Sequence, residues 1–147
     1  MVAYDVNQIS EKVRETLDGC PEVVAALLMG SCSRGEETYF VNERGERELL
    51  SDYEMLIIVH DKMDTKLSDN KLEVLARELK EQSSSPCFKL EWSYKTENQI
   101  KKLDKRFIFF EARESACTIY GNKSTTELFP VINIKNLNFC ELNTVII

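Results

Sequence analysis

Asp52 and Glu54 stand one residue apart at the head of the apolar run Met55-Leu56-Ile57-Ile58-Val59. A strand that apolar has little use for two carboxylates unless they hold something. Successive strand side chains point to opposite faces, so Asp52 and Glu54 share one face while Tyr53 and Met55 take the other. The pair can converge on a single cation.

A second chemical signal lies upstream, where Val23-Val24-Ala25-Ala26-Leu27-Leu28-Met29 ends abruptly in Gly30-Ser31-Cys32-Ser33-Arg34-Gly35-Glu36. A buried strand followed by small residues and a helix start offers backbone N–H groups and a hydroxyl to an anion, the arrangement phosphates favour. Arg34 brings a planar, permanently charged fork suited to a triphosphate. It can equally form a salt bridge with Glu36 or Glu37. A phosphate cradle plus a carboxylate pair points to metal-nucleotide chemistry.

These residues resemble the nucleotidyltransferase superfamily that includes DNA polymerase β and the antibiotic nucleotidyltransferases. Its signature is an apolar strand, Gly-Ser or Gly-Gly, then Asp-x-Asp/Glu on the next core strand, and Gly30, Ser31, Arg34, Gly35, Asp52 and Glu54 match it. Ser51-Asp52-Tyr53-Glu54-Met55 is similar to the second block of small bacterial members, with Glu in the second acidic place. Glu has the same oxygen donors as Asp on a longer arm, so metal ligation survives the exchange. The stretch between the two blocks is longer than in the shortest members. Its residues Thr38 to Leu50 contain a Gly-centred turn between two short segments, which reads as an inserted β-hairpin.

The resemblance covers Pro21 to Gly121 and implies an α/β (α+β) nucleotidyltransferase fold, a short mixed β-sheet flanked by helices. It also implies a third carboxylate on a later strand. Cys87 to Tyr94 alternates and is rich in aromatic residues, so it reads as that strand, and Glu91 is its only acid. Glu91 can instead be an ordinary solvated strand residue. By the same resemblance Asp52, Glu54 and Glu91 would bind two Mg²⁺ ions, Glu91 would help deprotonate the acceptor, and Ser31 beside Gly30 would hold the β- and γ-phosphates. Lys89, two residues before Glu91, shares its face and can pair with that carboxylate or with phosphate. Tyr39, Tyr53 and Trp92 are candidates to stack on a base, although aromatic residues at alternate strand positions usually belong to the core.

The implied activity is Mg²⁺-dependent transfer of a nucleoside monophosphate from a nucleoside triphosphate to a hydroxyl of a small molecule or protein. The alternative is a nucleotide-binding or regulatory module of the same fold with weak catalysis, or one subunit of a two-component system. Other enzyme classes are disfavoured. His60 is the single histidine, so Ser-His or Cys-His catalysis would have to be built around it alone. Neither a Gly-x-Ser-x-Gly elbow nor a Gly-x-x-x-x-Gly-Lys-Ser/Thr loop occurs.

With 147 residues the chain fits one domain, and 43% hydrophobic with 30% charged is ordinary for a globular protein. A net charge of −6 argues against a protein that grips nucleic acid by its backbone. Five cysteines without a Cys-x-x-Cys suggest neither a zinc site nor a disulfide framework, but reduced, mostly buried thiols in a cytoplasmic protein. No membrane-length apolar run is present.

The elements that must position the site follow from periodicity. Ile9, Val13 and Leu17 predict an amphipathic helix over Asn7 to Leu17, stopped by Asp18-Gly19. His60 to Asn70 reads as a loop, with Ser68 or Asp69 capping a helix whose Leu72, Leu75 and Leu79 face inward. The order strand, crossover helix, strand then leads to Glu91. Thr96 with Gln99 is a capping-box pattern opening a helix to Leu103. Phe107 to Cys117 is a further helical pattern, and Thr118 to Gly121 resembles the family's edge strand and turn. By the resemblance, residues 1–127 are expected to form the nucleotidyltransferase domain. Residues 128–147, ending on Val145-Ile146-Ile147, read as the start of a truncated helical region or a surface that a partner chain or a second copy covers.

Overall fold

In the computed structural model of the chain, residues 4–29, 39–41, 43–49, 53–85, 87–102, 116–122 and 125–129 are described. In chain order they form α1 (Val6–Leu17), β1 (Val23–Met29), β2 (Tyr39–Val41), β3 (Arg47–Leu49), β4 (Tyr53–Val59), α2 (Lys66–Gln82), β5 (Leu90–Thr96), α3 (Glu97–Lys101), β6 (Cys117–Tyr120) and α4 (Thr125–Leu128).

The apolar stripe of α1 is buried at Ile9, Val13 and Leu17. Its start is fixed by a capping box, in which Asp5 accepts the Gln8 N–H at 2.8 Å and the Gln8 side chain accepts the Asp5 N–H at 2.9 Å. β1 and β4 are apolar along most of their length because they form the middle of a four-stranded sheet of order β5-β4-β1-β6 and are covered on both faces. β1 runs antiparallel to β4 and β6, whereas β5 is parallel to β4, as its α2 crossover requires. The sheet is therefore mixed and flanked by helices. β2 and β3 form a separate antiparallel hairpin closed at Gly45, so the expected insertion is present.

Two apolar layers lie against the sheet. On one face Tyr53, Met55 and Ile57 of β4 meet α1 and the Leu72, Leu75 and Leu79 face of α2. On the other, Leu56 and Ile58 meet Ala25, Leu27, Ile100 and Phe129. Every second residue of β4 thus belongs to one layer, which fixes its register, since a one-residue slip would turn Glu54 into the core.

Three expected boundaries move. α2 begins at Lys66 behind Thr65, not at Ser68 or Asp69, so the predicted loop is shorter; Ser68 is fully buried, and its N–H is taken by the Glu22 carboxylate at 2.9 Å. β5 starts at Leu90, after Phe88 has turned into the core, and not at Cys87. Cys117 opens β6 and does not close a helix. Of the described thiols Cys20 is buried and Cys87 and Cys117 are exposed, so the expectation of mostly buried thiols fails there. Burial pushes the Cys20 thiol up from its ordinary range, with the nearby Glu22 carboxylate adding and Lys71 opposing. Native-state alkylation read by peptide mass mapping is expected to label Cys87 and Cys117 and to spare Cys20.

Gly121 ends β6 with φ +104°, and a Cβ there would stand 2.6 Å from the Val24 carbonyl oxygen. Gly45, at φ +78°, has open space around it. Gly121→Ala is expected to cost about 2 kcal/mol and Gly45→Ala about 1 kcal/mol in urea unfolding, because only the first adds a backbone clash to the strain of a positive φ.

Candidate functional site

The parallel ladder pairs Tyr53 with Leu90 and Glu54 with Glu91. Tyr53 and Leu90 are both buried in the α1 and α2 layer, so alternation turns Glu54 and Glu91 together to the opposite face, where Glu54 is exposed and Glu91 half-buried. Neighbouring strands are about 4.8 Å apart, which puts the two carboxylates within reach of one small ion. Met29, the last residue of β1, lies opposite Glu54 on its other side. The chain leaving β1 toward Gly30 therefore starts beside the acids. Asp52, Gly30, Ser31 and Arg34 themselves lie outside the described residues.

Lys89 adopts one of its two expected roles: its Nζ stands 2.6 Å from Glu91 Oε1, with side chains 58% and 45% exposed. A surface pair this open adds only about 0–1 kcal/mol to stability. Its chemical interest is that a cation already rests on Glu91. The Lys89 carbonyl also accepts the Tyr53 N–H at 3.0 Å, which ties the start of β5 to the start of β4. Among the described residues no three His, Cys, Asp or Glu side chains gather around one point.

The aromatic candidates are corrected. Tyr53 is 1% exposed and packs on Phe88 with ring centroids 5.9 Å apart, on the face away from the acids, so no base can stack on it. Trp92 and Tyr94 point to that same layer and hold α2, donating to Asp69 Oδ1 at 2.8 and 3.0 Å. The side chain of Tyr39 lies outside the description. His60, at the far end of β4, is exposed and bonds Glu97 at 2.8 Å, away from Glu54.

No protein-family model matches the chain, and no curated protein matches it. Solved structures similar to it include two toxin-antitoxin proteins. One is a toxin-antitoxin with AMP-PNP, at 17% identity over 82% of this chain and 79% of that one, with a TM-score of 0.48. The other is a mutant of the toxin-antitoxin MntA-HpeT, at 16% identity, the same coverage and a TM-score of 0.46. Identities and scores this low leave the functional reading to the residues of this chain.

Glu22 was not singled out from the sequence, and Asp69 only as a candidate helix cap. Each is one acid among many on a charged helix or a turn, and only the fold brings Trp92, Tyr94 and the buried Ser68 N–H to them. Burial, and with it the Asp69 carboxylate, pushes the Tyr94 phenol up to about 12. The unfolded chain loses that proton first, near pH 10, so the Tyr94 contribution is intact below pH 10 and is lost as pH rises toward 12. Urea unfolding at pH 9 to 11.5 is expected to fall more steeply for the wild type than for Tyr94→Phe; parallel curves would refute this assignment.

Proposed function

We propose that the chain is a metal-dependent nucleotidyltransferase that moves a nucleoside monophosphate from a nucleoside triphosphate to a hydroxyl of a small-molecule or protein acceptor. The observation that carries the reading is the register setting Glu54 beside Glu91 at the end of the sheet where Met29 closes β1. The donor set fits Mg²⁺: both groups are solvent-accessible carboxylates, hard oxygen ligands, and the Lys89 ammonium on Glu91 marks a place that takes positive charge.

Asp52, Glu54 and Glu91 would hold two ions, Asp52 being assigned from its place two residues before Glu54 in the sequence. Bound there, the metal supplies charge stabilisation at both ends of an in-line displacement. The chain's own residues do the rest. Ser31 and the N–H groups after Gly30 hold the β- and γ-phosphates, and Arg34 neutralises them. Glu91 takes the proton of the acceptor hydroxyl as its oxygen bonds the α-phosphorus, and the bond to the bridging oxygen breaks to release pyrophosphate. With Glu91 holding an ion, Lys89 would be able to pair with the phosphates.

The Lys89–Glu91 ion pair also favours a second reading, nucleotide binding with weak turnover, because Glu91 is already neutralised. Incubation with each α-labelled nucleoside triphosphate, Mg²⁺ and a panel of hydroxyl acceptors separates the two. Pyrophosphate release with label on an acceptor supports transfer. Calorimetric binding without pyrophosphate supports the second reading, and neither signal removes both.

A further inference from the structure

We infer that two copies of the chain pair through the outer edge of β5, antiparallel and centred on Ser93, so that the sheet continues across a two-fold axis. Among the described residues β4 is the only strand paired with β5, and none pairs with the other edge of its seven residues. One bond shows which backbone groups face that edge. The Lys89 carbonyl accepts from Tyr53 and so points at β4, and N–H and C=O groups alternate between the two edges along a strand. Glu91, Ser93 and Lys95 therefore turn their backbone groups to β4. Leu90, Trp92 and Tyr94 turn theirs outward, while the N–H of Thr96 is donated to the Gln99 side chain at 2.8 Å.

A two-fold antiparallel pairing must set outward-facing backbone groups opposite one another. Registers centred on Glu91, Trp92, Ser93 or Tyr94 all satisfy this, but they differ in charge. Centring on Glu91 opposes two like carboxylates; centring on Trp92 sets Glu91 against Ser93, and on Tyr94 against Glu97. Only the Ser93 register sets Glu91 opposite Lys95 of the second copy, and symmetry repeats that pair. The two meet at a non-hydrogen-bonded position, where side chains approach most closely. On the other face Trp92 exchanges both backbone bonds with Tyr94 of the second copy and forms an aromatic cross-strand pair. Like charges at the two positions would protect an open edge against association, whereas opposite charges at self-complementary spacing invite it.

The interface follows from strand geometry and is read by association rather than by transfer, although Glu91 serves both. Its test is light scattering and sedimentation of the full chain over a concentration series, with Glu91→Lys and Lys95→Glu, each checked for folding by circular dichroism. The wild type is expected to dimerise. Each charge reversal alone places two like charges opposite each other and should weaken the dimer at least about tenfold. An equal mixture of the two variants restores both opposite-charge pairs and should recover a heterodimer. Should a reversal prevent folding, Glu91→Gln and Lys95→Gln are each expected to weaken dimerisation more mildly. A monomeric wild type, a dimer indifferent to these substitutions, or a mixture of folded reversal variants that stays monomeric would overturn the proposal.

Discussion

Glu54→Gln is expected to lower pyrophosphate release by about 10²–10³-fold, a loss of about 3–4 kcal/mol of transition-state stabilisation. The substitution keeps the shape of the side chain and removes its charge at the point where the reading needs a metal ligand. Glu54 is exposed at the start of β4, on the face away from the α1 and α2 layer, so the loss should come without a loss of fold. Melting temperature and circular dichroism should match the wild type. Asp52→Asn should behave alike if Asp52 is the second ligand that the transfer reading assigns. If Asp52 and Glu54 act on the same ions, the double variant should be little worse than either single one. A folded Glu54→Gln protein with turnover within a few-fold of wild type would mean that this carboxylate is a solvated strand residue, and the transfer reading would fall with it.

Much of the frame around Glu54 was legible in the sequence because it depends on repeating patterns. The four-residue spacing of Ile9, Val13 and Leu17 gave α1, and Leu72, Leu75 and Leu79 gave the buried face of α2. The Thr96–Gln99 box was readable because both of its hydrogen bonds are local, at 3.1 and 2.8 Å. Alternation was enough to place Glu91 and Lys89 on one face, where they now form an ion pair. What could not be read was set by contacts distant in the chain. Whether Tyr53 or Trp92 met a base or the core depended on which layer the odd-numbered positions of β4 and the even-numbered positions of β5 would face, and that required α2 to be in place. The start of α2 was misjudged for the same reason. Ser68 and Asp69 look like caps by residue type, yet the group that satisfies the helix start comes from Glu22, 46 residues earlier.

That contact carries the second large effect. The N-cap of α2, Thr65, makes no side-chain capping bond, and the exposed N–H of Lys66 is met by Asp64 Oδ1 at 2.9 Å. The buried N–H of Ser68 is met by Glu22 Oε1, whose residue is only 3% exposed. A carboxylate at a helix N-terminus gains from the partial positive charge there as well as from the hydrogen bond. Glu22 also accepts the His60 N–H through its own carbonyl at 2.9 Å, so one residue joins the start of β1, the end of β4 and the start of α2. Glu22→Ala leaves the Ser68 N–H buried and unmet, and is expected to cost about 3 kcal/mol in urea unfolding. Glu22→Gln keeps an acceptor in place without the charge and should cost about 1 kcal/mol. Hydrogen exchange at the Ser68 amide should quicken by more in the alanine variant than global unfolding alone explains. Because α2 sets β5 against β4, a loosened helix start should also blur the Glu54–Glu91 register and lower transfer, while Glu54→Gln lowers transfer at unchanged stability. Equal stability of Glu22→Ala and wild type would show that α2 starts without this buried acceptor.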